Sequence, residues 1–123
     1  MSARRVVITG MGALTPVGLT VPAYWEGLKN GVSGAGPITH FDAEKFKTRF
    51  ACELKGFDLK AYIPQKEARK MDPFTHYAMI AADEAIADAA LDLDKLDRDR
   101  IGVVLGSGIG GLNTFQEEIS AYA

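Results

Sequence analysis

Gly106, Gly108, Gly110 and Gly111 crowd into six residues that follow an apolar run, Ile101 to Leu105, and precede a helical stretch from about Leu112. Glycines so placed allow positive φ and let backbone approach a partner where a side chain would block it. One partner is a dinucleotide pyrophosphate, since Gly106, Gly108 and Gly111 match G-x-G-x-x-G between strand and helix. The acidic residue that such a site uses, about twenty residues further on, falls outside these residues. The other reading is a tight strand-to-helix connection that holds no ligand.

Cys52 is the single thiol. A cysteine nucleophile needs its pKa lowered by a helix N-terminus or a histidine. Cys52 stands in strand-like Phe-Ala-Cys-Glu-Leu-Lys beside an acid, so a packing role is expected. His40 and His76 are the two histidines; they do not cluster with other metal ligands at fixed spacing. Lys66, Arg69 and Lys70 are spaced i, i+3, i+4 and share one side of a helical turn. Cations in a first turn oppose the macrodipole at about 0.3–1 kcal/mol each. Such a turn is either an ordinary solvated one, partly neutralised by Glu67, or one whose local cost serves a purpose.

The elements that must position these residues follow from local signals. Val6 to Thr9 reads as a strand, and Thr20 caps a helix with Pro22 in its first turn. Tyr24, Trp25 and Leu28 share a face of that helix, and Gly31 stops it. Residues 31–37 are loop by composition, and Phe50 to Phe57 reads as a strand. Pro64 opens a helical turn through Lys70; Asp72-Pro73 restart the chain as cap and first helical residue. The helix from Phe74 to about Ala90 places Phe74, Tyr77, Ala78, Ala81, Ala85 and Ala89 on one face. Its alanines predict close approach of a neighbouring element. Asp92 to Arg100 is a polar link. Alternating strands and helices predict an α/β layered architecture, with residues 1–123 as one unit and no internal boundary.

With 47% hydrophobic residues the chain has material for a core, and its net charge of −2 supplies no global attraction for nucleic acid. One cysteine forms no internal disulfide, as expected of a reducing compartment. Residues 1–20 lack the apolar run of a signal peptide, and no run has the length of a membrane span. A cytoplasmic protein is the expectation.

Arg4-Arg5-Val6-Val7-Ile8-Thr9-Gly10-Met11-Gly12-Ala13-Leu14-Thr15-Pro16-Val17-Gly18 joins His40-Phe41-Asp42, Lys66-Glu67-Ala68-Arg69-Lys70-Met71-Asp72 and the glycines at 106–111 in one ordered set. In that order, over essentially the whole chain, the sequence resembles the N-terminal part of a β-ketoacyl-acyl-carrier-protein synthase. The type II elongating enzymes of bacterial fatty acid synthesis are the nearest subgroup, with polyketide, initiating and type I elongating synthases as competitors.

The resemblance implies part of the first half of a thiolase-like, five-layered fold. It also implies a fragment, because members of that family are several-fold longer and carry their nucleophilic cysteine and two catalytic histidines later. The implied activity of the complete enzyme is decarboxylative Claisen condensation of an acyl thioester with malonyl-acyl-carrier-protein, with no cofactor. Lys66, Arg69 and Lys70 match the residues that dock the acyl carrier protein. Ile109, between Gly108 and Gly110, matches the residue that turns aside to admit the growing acyl chain. A homodimer is implied as well, with residues near Ile109 lining the same pocket across its interface. No catalytic residue is expected within these 123. A dinucleotide-binding module and a non-catalytic carrier-protein-binding protein remain the alternatives.

Overall fold

The computed structural model describes residues 4–123. Helix α1 spans Val21–Lys29. Thr20, in extended conformation, accepts a bond from the Ala23 N–H, and Pro22 sits in the first turn. At its other end the Asn30 side chain donates to the Glu26 carbonyl at 2.9 Å, and Gly31 leaves the helix with φ +65°. The predicted start and stop of this helix both hold.

Strands β1 (Gly36–Pro37) and β2 (Phe50–Ala51) pair antiparallel, with Gly36 opposite Ala51 and Pro37 opposite Phe50. Among the described residues this is the only sheet. The strand expected over Phe50 to Phe57 is thus two residues long. Pro37 has no N–H to donate. Beyond β2, Gly56 turns the chain at φ +65° and Asp58 caps a 3-10 turn at Leu59–Ala61.

Helix α2 is short, Gln65–Ala68, and α3 runs over Pro73–Asp88. A second 3-10 turn, Arg98–Arg100, precedes helix α4, Leu112–Tyr122. Asp72 and Pro73 occupy the predicted cap and first positions of α3, but the Asp72 carboxylate makes no bond to its own helix.

The face expected on α3 needs correction in its first half. Phe74 and Tyr77 are exposed, and the buried residues are His76 and Ile80. Ile80 joins Ile63 and Ala68 in a small core flanked by Leu14, Phe57, Leu59 and Met71. His76 is buried because its ring has a partner, Nε2 lying 2.8 Å from the Ala68 carbonyl oxygen. The second half of the face is as expected. Gly10 and Gly12 lie so close to Ala81, Ala85 and Ala89 that a Cβ on either glycine would overlap the α3 backbone. Two acids complete the seam: Asp88 accepts from the Met11 N–H at 2.9 Å, and Glu84 from the Ala13 N–H at 2.8 Å.

The strands expected at Val6 to Thr9 and Ile101 to Leu105 join no ladder. A strand exists by exchanging hydrogen bonds with a neighbour, and no other described segment supplies one. Their apolar side chains are correspondingly bare, Val6 at 90% exposure and Val104 at 99%. The whole chain exposes 10511 Å², against roughly 6,400 Å² for an ordinary folded monomer of this mass.

Candidate functional site

The basic turn is built by Pro64, whose extended conformation starts α2, and by Ala68, which anchors it in the core. Lys66 falls within α2, Arg69 is its C-terminal cap, and Lys70 lies one residue beyond, its N–H bonded to the Glu67 carbonyl at 3.0 Å. All three side chains are exposed, and among the described residues none forms an ion pair. The expected clash with a helix dipole does not arise at Arg69 and Lys70. They sit at the C-terminal end of a four-residue helix, where cations are favoured.

Sequence reasoning overlooked Lys60, which shares a shallow depression of about 290 Å³ with Arg69, Ile63 and Gln65. Its place on a separate 3-10 turn hid it from any helical spacing rule.

Lys70 also faces the glycine loop. It lines an open cleft of about 790 Å³ together with Ser107, Gly110, Gly111, Phe74 and Phe115. The basic turn and the glycine run, 36 positions apart from Lys70 to Gly106 in sequence, therefore meet at one surface through Lys70.

The glycines of that loop do different things. Only Gly111 has positive φ, at +73°, where it caps the N-terminus of α4. Gly110 lies flat against the Phe74 ring: a Cβ there would stand 2.9 Å from Cε1 and Cζ. Gly106 and Gly108 face open space. Ile109 is 76% exposed and borders a small recess of about 150 Å³ with Asp72, Phe74 and Asn113.

The remaining candidates show no catalytic arrangement. Cys52, expected to pack, is instead an exposed free thiol one residue beyond β2. His40 stands 3.9 Å from the Glu53 carboxylate, which accepts from the Thr39 hydroxyl at 2.6 Å and the Thr39 N–H at 3.0 Å. Those two bonds, with a smaller contribution from His40, hold the Glu53 carboxyl below its ordinary range. Among the described residues no group of histidine, cysteine and acidic side chains could hold a metal ion, and no helix is long and apolar enough to cross a membrane.

The model of the beta-ketoacyl synthase N-terminal domain matches residues 3–122. The 3-oxoacyl-[acyl-carrier-protein] synthase 2 of Synechocystis sp. is 48% identical over 115 residues, covering 94% of this chain and 28% of that protein. Its counterpart in Staphylococcus aureus (strain COL) is 52% identical over 113 residues, covering 92% and 27%. This chain therefore spans just over a quarter of the length of these curated relatives.

Among solved structures, one of a type II PKS acyl-carrier protein in complex with its ketosynthase bound to the hexaketide superposes with TM-score 0.76 at 30% identity. The match covers 97% of this chain and 30% of that one. The ishigamide ketosynthase/chain length factor gives TM-score 0.67 at 40% identity, covering 77% and 24%. These similarities settle the fold as α/β of the thiolase-like kind, although the described residues pair only four of their own into a sheet. They also take the glycine run out of the dinucleotide reading. With an ordered motif set, a basic turn meeting a glycine loop, and a match over residues 3–122, the chain belongs to the β-ketoacyl synthase family.

Proposed function

We propose that these residues are the carrier-docking and acyl-pocket portion of a 3-oxoacyl-acyl-carrier-protein synthase that elongates fatty acids. The observation that carries this reading is the match over residues 3–122, on a chain whose basic turn is exposed and unpaired among the described residues. Lys66, Arg69 and Lys70 attract an acidic acyl carrier protein bearing acyl or malonyl groups. A ketosynthase of similar fold has been captured with its acyl-carrier protein, which supports that class of partner. Ile109, flanked by Gly108 and Gly110, lines the entrance of the acyl pocket.

In the reaction, an acyl group is first held as a thioester on the nucleophilic cysteine of the complete enzyme. Malonyl-carrier protein loses carbon dioxide, and the electron pair of the broken C–C bond becomes an enolate. Its carbon attacks the acyl carbonyl, the C–S bond breaks, and the thiolate leaves. Backbone N–H groups and histidines stabilise the enolate and oxyanion charge. No cofactor enters, because decarboxylation supplies the carbanion. Cys52, His40 and His76 take no part. The working enzyme is a cytoplasmic homodimer.

The test is carbon dioxide release and 3-oxoacyl-carrier-protein formation by the complete synthase with acyl- and malonyl-carrier protein as substrates. Condensation that survives Cys52→Ser agrees with this reading. No condensation by the wild type, or its loss in Cys52→Ser alone, overturns it.

A further inference from the structure

Half of the glycine loop is pinned to α3 and half is not, and Ile109 sits at the boundary. On the pinned side, Gly110 lies against the Phe74 ring. The φ of Gly110 is not positive, so the ring alone, and not backbone strain, excludes a side chain there. Gly111 follows in left-handed conformation, and a Cβ on it would come within 3.2 Å of the Asp72 carboxylate. The Thr114 hydroxyl then donates to the other oxygen of that carboxylate at 3.0 Å, across 42 residues of sequence. This contact also accounts for Asp72, which occupies the cap of α3 without a side-chain bond to its own helix: its carboxylate is turned toward α4. On the other side, a Cβ added at Gly106 or Gly108 would meet nothing within 4 Å.

The geometry points to Phe74 and the Asp72–Thr114 pair as positioning residues that hold the loop, and with it Ile109, against α3, and so set how readily long acyl chains are admitted. The proposal rests on Ile109 gating the acyl pocket. With the 110–114 end held, the freedom of Ile109 depends on the backbone that precedes it, at Gly106 and Gly108. Loosening the fixed end gives Ile109 more freedom, which favours long primers over short ones. Tightening it has the opposite effect.

The experiment uses the complete synthase and two readouts. One is amide hydrogen exchange across residues 106–114; the other is the ratio of acylation rates with a long and a short acyl-carrier protein. Thr114→Val removes the hydroxyl and should speed exchange. It should also raise the long-to-short ratio by roughly two- to tenfold, the range one net hydrogen bond supplies. Thr114→Ser keeps the hydroxyl and should behave as the wild type. Gly110→Ala presses a methyl on the Phe74 ring and should lower the ratio; Phe74→Leu in the same chain should restore it.

Unchanged exchange in Thr114→Val overturns the proposal, as does a Gly110→Ala defect that Phe74→Leu fails to relieve. So does an unchanged ratio in an enzyme where Ile109→Phe does discriminate primers by length. If Ile109→Phe does not discriminate, the gate reading falls and this proposal with it. Faster exchange in Thr114→Val would then show that the clamp exists and that the failure lies in the gate.

Discussion

Glu84 accepts from the backbone N–H of Val21 at 2.8 Å, so a carboxylate on α3 caps the first residue of α1 from 63 residues away. Its other oxygen holds the Ala13 N–H at the same distance. One side chain thus ties the Gly10–Ala13 segment and the start of α1 to the same turn of α3. Replacing Glu84 with Ala orphans both donors and should cost about 1–3 kcal/mol. Glu84→Gln retains one acceptor and should cost less. Urea unfolding of the two variants would check the order.

Glu53 provides a pH dependence. Its carboxyl is held below the ordinary value of 4.5, first by the Thr39 hydroxyl, then by the Thr39 N–H. A depressed folded-state pKa means that the contribution is complete above 4.5 and is lost as pH falls through the lower folded value. The β1–β2 hairpin should therefore loosen on acidification below that range, and Thr39→Val should flatten the effect. Amide exchange of residues 38 and 39 against pH would read it.

Lys66 and Arg69 should govern carrier-protein affinity in the complete synthase. Their joint reversal to Glu should weaken binding by roughly tenfold, each exposed pair being worth about 0.2–1 kcal/mol. Wild-type binding should also weaken with salt, as exposed charges are screened over roughly 8–10 Å. Titration of labelled carrier protein at two ionic strengths checks both. Equal affinity of wild type and double variant would remove the docking role.

Ile109→Phe should penalise long primers more than short ones, because overpacking costs about 1–3 kcal/mol where neighbours cannot yield. Acylation rates with two acyl-carrier proteins of different length give the comparison. Equal losses would make Ile109 a packing residue.

Helix ends were legible in the residues because their signals are local: Thr20 and Gly31 for α1, Asp72-Pro73 for α3. The alanine ladder of α3 also announced its close neighbour, which is the Gly10–Gly12 backbone. Strands were not legible in the same way. Val6 to Thr9 and Ile101 to Leu105 have strand composition, but a ladder depends on a partner that composition does not name. The site divided along the same line. The spacing of Lys66, Arg69 and Lys70 puts them on one side of a turn, whereas the meeting of Lys70 with Gly110 and of Asp72 with Thr114 depends on where α3 and α4 place the loop.

The bare surface of Val6, Val103 and Val104 has a calorimetric consequence. Heat-capacity steps and denaturant slopes measure the area that unfolding newly exposes. An ordinary domain of 123 residues would show a step of about 1.5–1.8 kcal/mol/K. This chain by itself already wets roughly 4,000 Å² more than such a domain. Its melting should therefore show a smaller step and a weaker urea slope than such a domain, and a partner that covers those valines should enlarge both.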